Sequence, residues 1–112
     1  MEPSVTPLPP IFAALSDPTR FAIVERLLRE GETSAGDLQR GTRLSAPAIS
    51  RHLKVLTDAG VVTRRSAGQS RIYAARPEAI ESVAAWTMSH RAFWEASLAR
   101  LERALMQEMH RR

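Results

Sequence analysis

The chain has 112 residues, 44% hydrophobic and 25% charged, the balance of one folded domain and too short for a catalytic domain joined to a regulatory one. It contains no cysteine, so disulfides, thiolate metal ligands and cysteine nucleophiles are excluded together, and three scattered histidines offer little to a metal. The formal charge of +4 is unevenly spread: residues 40–76 hold eight basic side chains against one acid, Asp58, for a net of +7, while the remainder nets −3. Such a basic block beside an acidic remainder is the footprint of a polyanion-binding surface, because neutralising phosphates releases their condensed counterions.

Residues 1–10 carry four prolines and no periodic pattern, which predicts an extended or partly ordered arm; they lack the basic start and apolar middle of a secretory signal, so a cytoplasmic protein is expected. Pro9 and Pro10 suit the start of a short helix with Ile11, Phe12, Ala14 and Leu15 as its apolar positions, stopped by Ser16 and Asp17. Asp17 before Pro18 then reads as an N-cap and first-turn proline. Phe21, Ile23, Val24, Leu27 and Leu28 recur at helical spacing up to Gly31. Ser34 and Asp37 resemble a capping box and open a short helix through Arg40 that Gly41 ends.

After a turn over residues 41–44, Ser45 caps another helix with Pro47 in its first turn; Ile49, Leu53, Val55 and Leu56 supply its buried side up to Gly60. Two short helices joined by a tight glycine-containing turn make a helix-turn-helix. Residues 61–66 and 70–75, with Val61, Val62, Ile72 and Tyr73 as strand formers and Gly68 at the turn, predict a β-hairpin. From Pro77 to Met109 the apolar residues keep three- and four-residue spacings, which predicts one long helix or two in line with a bend near residues 88–90. A small domain cannot cover so long a helix, so a partner chain is the expected cover.

The second helix of the helix-turn-helix begins with small residues that let its backbone approach a major groove, and its N-terminus offers free amides and a positive dipole to phosphate. Ser45, Ala46, Ala48, Ser50, Arg51, His52 and Lys54 cover its outward sides and are the candidate groove readers. Arg51 suits a bidentate contact to guanine and Lys54 a phosphate. His52 has three readings: a DNA contact, packing under the helix, or a chance surface residue. In the hairpin, Arg64, Arg65, Gln69, Ser70 and Arg71 surround the tip, a shape and charge suited to straddling the DNA backbone; a solvated, charge-protected sheet edge is the plainer alternative.

Asp17-Pro18-Thr19-Arg20, the run from Leu44 to Leu56, Ala59-Gly60-Val61-Val62 and Gly68-Gln69-Ser70-Arg71-Ile72-Tyr73, in that order and spacing, resemble the arsenic-repressor (ArsR) family of winged helix-turn-helix regulators. The resemblance implies a mainly α fold with a small β-hairpin, a recognition helix in the major groove of double-stranded DNA, a β-wing, and repression relieved by a signal. It also implies a homodimer through the first and last helices, whose candidate interface residues here are Ile11, Phe12, Leu15, Val83, Trp86, Phe93, Trp94, Leu98, Leu101 and Leu105. The winged domain is expected over residues 11–112.

Ser34 and Gly36 stand where arsenic- and cadmium-sensing members carry a cysteine pair, and His90 and His110 have no ligand partner three or four residues away, so no metal or cofactor is expected. Trp86, Phe93 and Trp94, with Phe12, have two readings: anchors of the dimer core, or the lining of a pocket for a small-molecule inducer. The chain offers no glycine-rich phosphate loop and no grouped acid/base residues, which argues against an enzyme. Glu81, Glu95, Glu102 and Glu108 among the arginines of the last helix argue against a membrane-lying one. A protein-interaction module is the remaining rival.

Overall fold

Local capping signals set three of the helix starts. In a computed structural model, which describes residues 6–111, the elements run α1 (Leu8–Leu15), α2 (Pro18–Glu30), β1 (Thr33–Ser34), α3 (Ala35–Arg40), α4 (Ala46–Asp58), β2 (Val62–Ala67), β3 (Ser70–Ala75), α5 (Pro77–Ser89) and α6 (Arg91–His110). The Asp17 carboxylate accepts from the Arg20 amide at 3.0 Å, Ser34 Oγ from the Asp37 amide at 3.1 Å, and Ser45 Oγ from the Ala48 amide at 3.3 Å. Each satisfies an amide left unpaired at a helix start. Gly31 ends α2 with φ 81°, a left-handed conformation that a side chain would strain.

The expected arm over residues 1–5 lies outside the described residues, and its last part is corrected. Leu8 already begins α1, with Pro9 and Pro10 in the first turn, where missing amides break no helical hydrogen bond. Thr6, just before it, is buried.

Contacts divide the chain into two units, residues 1–82 and 83–112. In the first, Ile11, Ile23, Val24, Leu27, Leu38, Ile49, Leu53, Leu56, Val61, Val62 and Tyr73 form the core under α1–α4 and the sheet. Val55, expected on the buried side of its helix, is instead 41% exposed, and Phe21 and Leu28 of the apolar spacing in α2 are 48% and 54% exposed. A helix can bury only the arc its neighbours cover, and these three lie outside it. The hairpin also gains a strand that the sequence did not suggest. The two residues of β1 pair antiparallel with β3 (Thr33 opposite Tyr73, Ser34 opposite Ile72), so the sheet order is β1-β3-β2.

In the second unit, α5 ends and α6 begins at His90, whose φ of −105° and ψ of 37° leave the helical region. Thus the two-helix alternative is the one adopted. Helix α6 has no buried residue: Leu98, Leu101 and Leu105 are each more than half exposed. Around the break, Trp86, His90, Phe93 and Trp94 line an open apolar pocket of about 270 Å³. Phe93 and Trp94 meet edge to face at 5.1 Å, and His90 Nδ1 lies 2.8 Å from the Trp86 carbonyl. No helix among the described residues is long and apolar enough to cross a membrane.

Candidate nucleic-acid interface

Burial of Ile49, Leu53 and Leu56 fixes the rotation of α4, and about 100° per residue then turns Arg51 to the opposite, outward side. Ser45, Ala46, Ser50, Arg51 and Lys54 are exposed there and Ala48 is half-buried, so the helix presents a low N-terminal end followed by a guanidinium. Val55 shares the outward side as an exposed apolar group, which can meet a thymine methyl; sequence reasoning had assigned it to the core.

His52 is placed differently from the other candidate readers. It flanks the buried stripe with its side chain 23% exposed, Nδ1 lying 3.5 Å from Arg20 Nη1 and 4.0 Å from Asp17 Oδ2. Arg20 in turn donates from Nε to the Ala14 carbonyl at 2.7 Å, so one arginine ties the end of α1 and the start of α2 to α4. Of the three readings of His52, packing under the helix is the one this geometry favours. The Arg20 amide above all, with the charges of Arg20 and His52, holds the Asp17 carboxyl below its ordinary value against the opposing pull of burial.

In the wing, β2 and β3 pair from Val62 opposite Ala75 to Ala67 opposite Ser70, leaving a two-residue tip, Gly68-Gln69. Gly68 has φ 63°, which the tight turn needs and glycine supplies freely. Alternation along a strand sends adjacent side chains to opposite faces. Arg64, opposite Tyr73, and Arg71, opposite Ser66, share the face that looks toward α4, while Arg65, opposite Ile72, is on the other. Arg65 Nε donates to Glu32 Oε2 at 2.6 Å, a bond that raises the guanidinium's pKa and anchors the wing to the loop before β1.

The basic block therefore separates into two sets. Arg40, Lys54, Arg65 and Arg76 have carboxylate partners in Asp37, Asp58, Glu32 and Glu78. The Arg40 hydrogen bond and charge lower the Asp37 carboxyl from its ordinary value. Arg43, Arg51, Arg64 and Arg71 form no ion pair among the described residues and are exposed. Arg43, in the turn of the helix-turn-helix, was missing from the candidate readers; its place inside the basic block was the available signal. Gln69 and Ser70 are exposed at the tip.

Among the candidate interface residues of the terminal helices, Ile11 is corrected: it is fully buried in the core of its own unit and has no surface to offer a partner. The packing stripe of α1 passes through Ile11 and Ala14. Phe12, Trp86, Phe93 and Trp94 are 42–59% exposed, whereas Leu15 and Val83 are half-buried.

A core of four helices carrying a helix-turn-helix in α3–α4, with a basic β2–β3 wing on a three-stranded sheet, defines a winged helix-turn-helix protein. A helix-turn-helix domain family model matches residues 15–65. The chain is 46% identical over 70 residues to the HTH-type transcriptional regulator Rv2034 of Mycobacterium tuberculosis, covering 62% of this chain and 64% of that one, a little under two thirds of its length. It is 34% identical to the transcriptional repressor SdpR of Bacillus subtilis, covering 70% of this chain and 87% of the relative. The crystal structure of the ArsR family transcriptional regulator RHA00566 superposes with a TM-score of 0.69 at 33% identity, over 79% of this chain and 90% of the other. The chain belongs to the ArsR family of transcriptional regulators.

Proposed function

We propose that the protein is a repressor that binds a pseudo-palindromic operator as a homodimer, with α4 in the major groove and the wing on the flanking backbone. The observation that carries this reading is the unpaired Arg51, facing outward from α4 behind a low N-terminal end, with unpaired Arg43, Arg64 and Arg71 on the same domain. Arg51 supplies sequence choice, and the other three supply phosphate contacts that carry no sequence information. The bare leucines of α6 support a second copy as its cover. Two copies then place their recognition helices in successive major grooves about 34–36 Å apart and exclude polymerase sterically.

Release comes from a non-metal signal. The sequence has no cysteine, and among the described residues no group of three or more His, Cys, Asp or Glu could hold a metal. The apolar pocket between Trp86 and Trp94 suits either a small-molecule inducer or the aromatic core of the dimer. Selection of bound duplexes from a random library, followed by fluorescence anisotropy over a range of salt, tests the reading. Enrichment of a two-fold symmetric site, bound with strong salt dependence, is expected. Salt-insensitive binding, or no enrichment, would instead support a protein-interaction module.

A further inference from the structure

The cleft between α4 and the wing, about 320 Å³, is lined by Ser50, Lys54, Thr57, Asp58, Arg64, Arg71 and Tyr73. It gathers three cations and one acid. Arg64 and Arg71 have no carboxylate among the described residues, and Lys54 Nζ is held by Asp58 Oδ2 at 3.0 Å. Asp58 is also the sole acid of the basic block.

Helix stability does not account for Asp58. It is the last residue of α4, where a negative charge opposes the helix dipole. In the Lys54–Asp58 pair the acid follows the base by four residues, the weaker of the two orientations. Both side chains are well exposed, at 76% and 64%, so the bond is readily exchanged for another anion.

We propose that this cleft seats a phosphate of the DNA backbone between Lys54, Arg64 and Arg71, and that Asp58 is a built-in competitor which must yield Lys54 before the phosphate settles. The proposal rests on the DNA-binding reading above. Asp58 thereby lowers affinity for all duplexes alike and keeps the repressor easily displaced.

The test is anisotropy with the selected operator and with a random duplex, on the full chain and on Asp58→Asn. Like-charge removal beside a surface phosphate is expected to tighten binding to both duplexes by about five- to tenfold. The slope of log K against log salt should steepen by up to about 0.9, one further phosphate contact. In a Lys54→Ala background the gain from Asp58→Asn should fall below half. Glu25→Gln, which removes an exposed acid on α2, controls for net charge and should give no gain.

Unchanged affinity in Asp58→Asn, while Arg64→Ala and Arg71→Ala weaken binding, overturns the competitor role and leaves the DNA-binding reading standing. So does a full gain that persists without Lys54, or one that Glu25→Gln reproduces. A gain confined to the operator overturns the phosphate assignment, since phosphates carry no sequence. Wild-type protein that binds no duplex removes the underlying reading first. Thermal melts of Asp58→Asn and Asp58→Ser should match or exceed wild type, and whichever variant is folded carries the comparison.

Discussion

Helices α4 and α6 show the same three- and four-residue spacing of leucines and isoleucines and meet opposite fates. Ile49, Leu53 and Leu56 of α4 are buried by their own chain, whereas Leu98, Leu101 and Leu105 of the longer α6 stand in solvent. Periodicity thus reports that a helix has an apolar face, and leaves open whether that face is covered from within or from outside. The consequence is that α4 is oriented by its core and can aim Arg51, while α6 keeps an exposed apolar surface, the one assigned above to a second copy under the proposed function.

The largest break in this comparison is Leu53→Ala. Truncating a fully buried leucine leaves a cavity, and unfolding monitored by circular dichroism should show a loss of about 2–5 kcal/mol that does not depend on protein concentration. Leu101→Ala should behave differently. Its melting should depend on concentration, and sedimentation should show dimer association weakened by tenfold or more, since burying such a side chain is worth roughly 1.5–3 kcal/mol. Equal, concentration-independent losses at both positions would erase the distinction between core and interface.

Aim is tested at Arg51. Arg51→Ala should reduce discrimination between operator and random duplex by roughly 1–3 kcal/mol, whereas Arg64→Ala should weaken both alike and lower the salt slope by about 1. The smallest effect is expected at Asp17, the cap that His52 and Arg20 adjoin. Its depressed folded pKa means that its contribution is complete above the ordinary carboxylate value and is lost as pH falls through the lower folded one. Asp17→Asn keeps a capping oxygen, so melts at neutral pH should barely move, while loss of stability below about pH 4 should be shallower than in wild type.

Much of this was legible in the sequence because it is written locally. Asp17-Pro18, Ser34, Ser45 and Gly68 specify caps and a turn through bonds or dihedral angles within a few residues. What escaped depends on partners far along the chain. The strand β1 is two residues long and has no periodicity to show; it exists because β3 offers it an edge. Arg64 and Arg65 read as one basic pair, yet the pleat turns the first toward α4 and the second onto Glu32, 33 positions away. His52 stays open among three readings in the sequence because the residues that decide its surroundings, Asp17 and Arg20, lie more than 30 positions away. The four unpaired arginines could not be told from the four paired cations by composition, since the difference lies in which carboxylates the fold brings within reach.

Arg76, the last residue of the basic block, has another use. It donates from Nη1 to Thr6 Oγ1 at 3.2 Å, joining positions 70 apart, and a Cβ on Gly60 would approach both side chains at 3.2 Å. A contact that spans so long a loop forms only after the intervening helices and sheet have brought its ends together. It therefore clasps the segment before α1 to the end of β3, and as a single side-chain bond it is expected to open before the core does. Hydrogen exchange near Thr6 should report that opening while the amides of α4 remain protected.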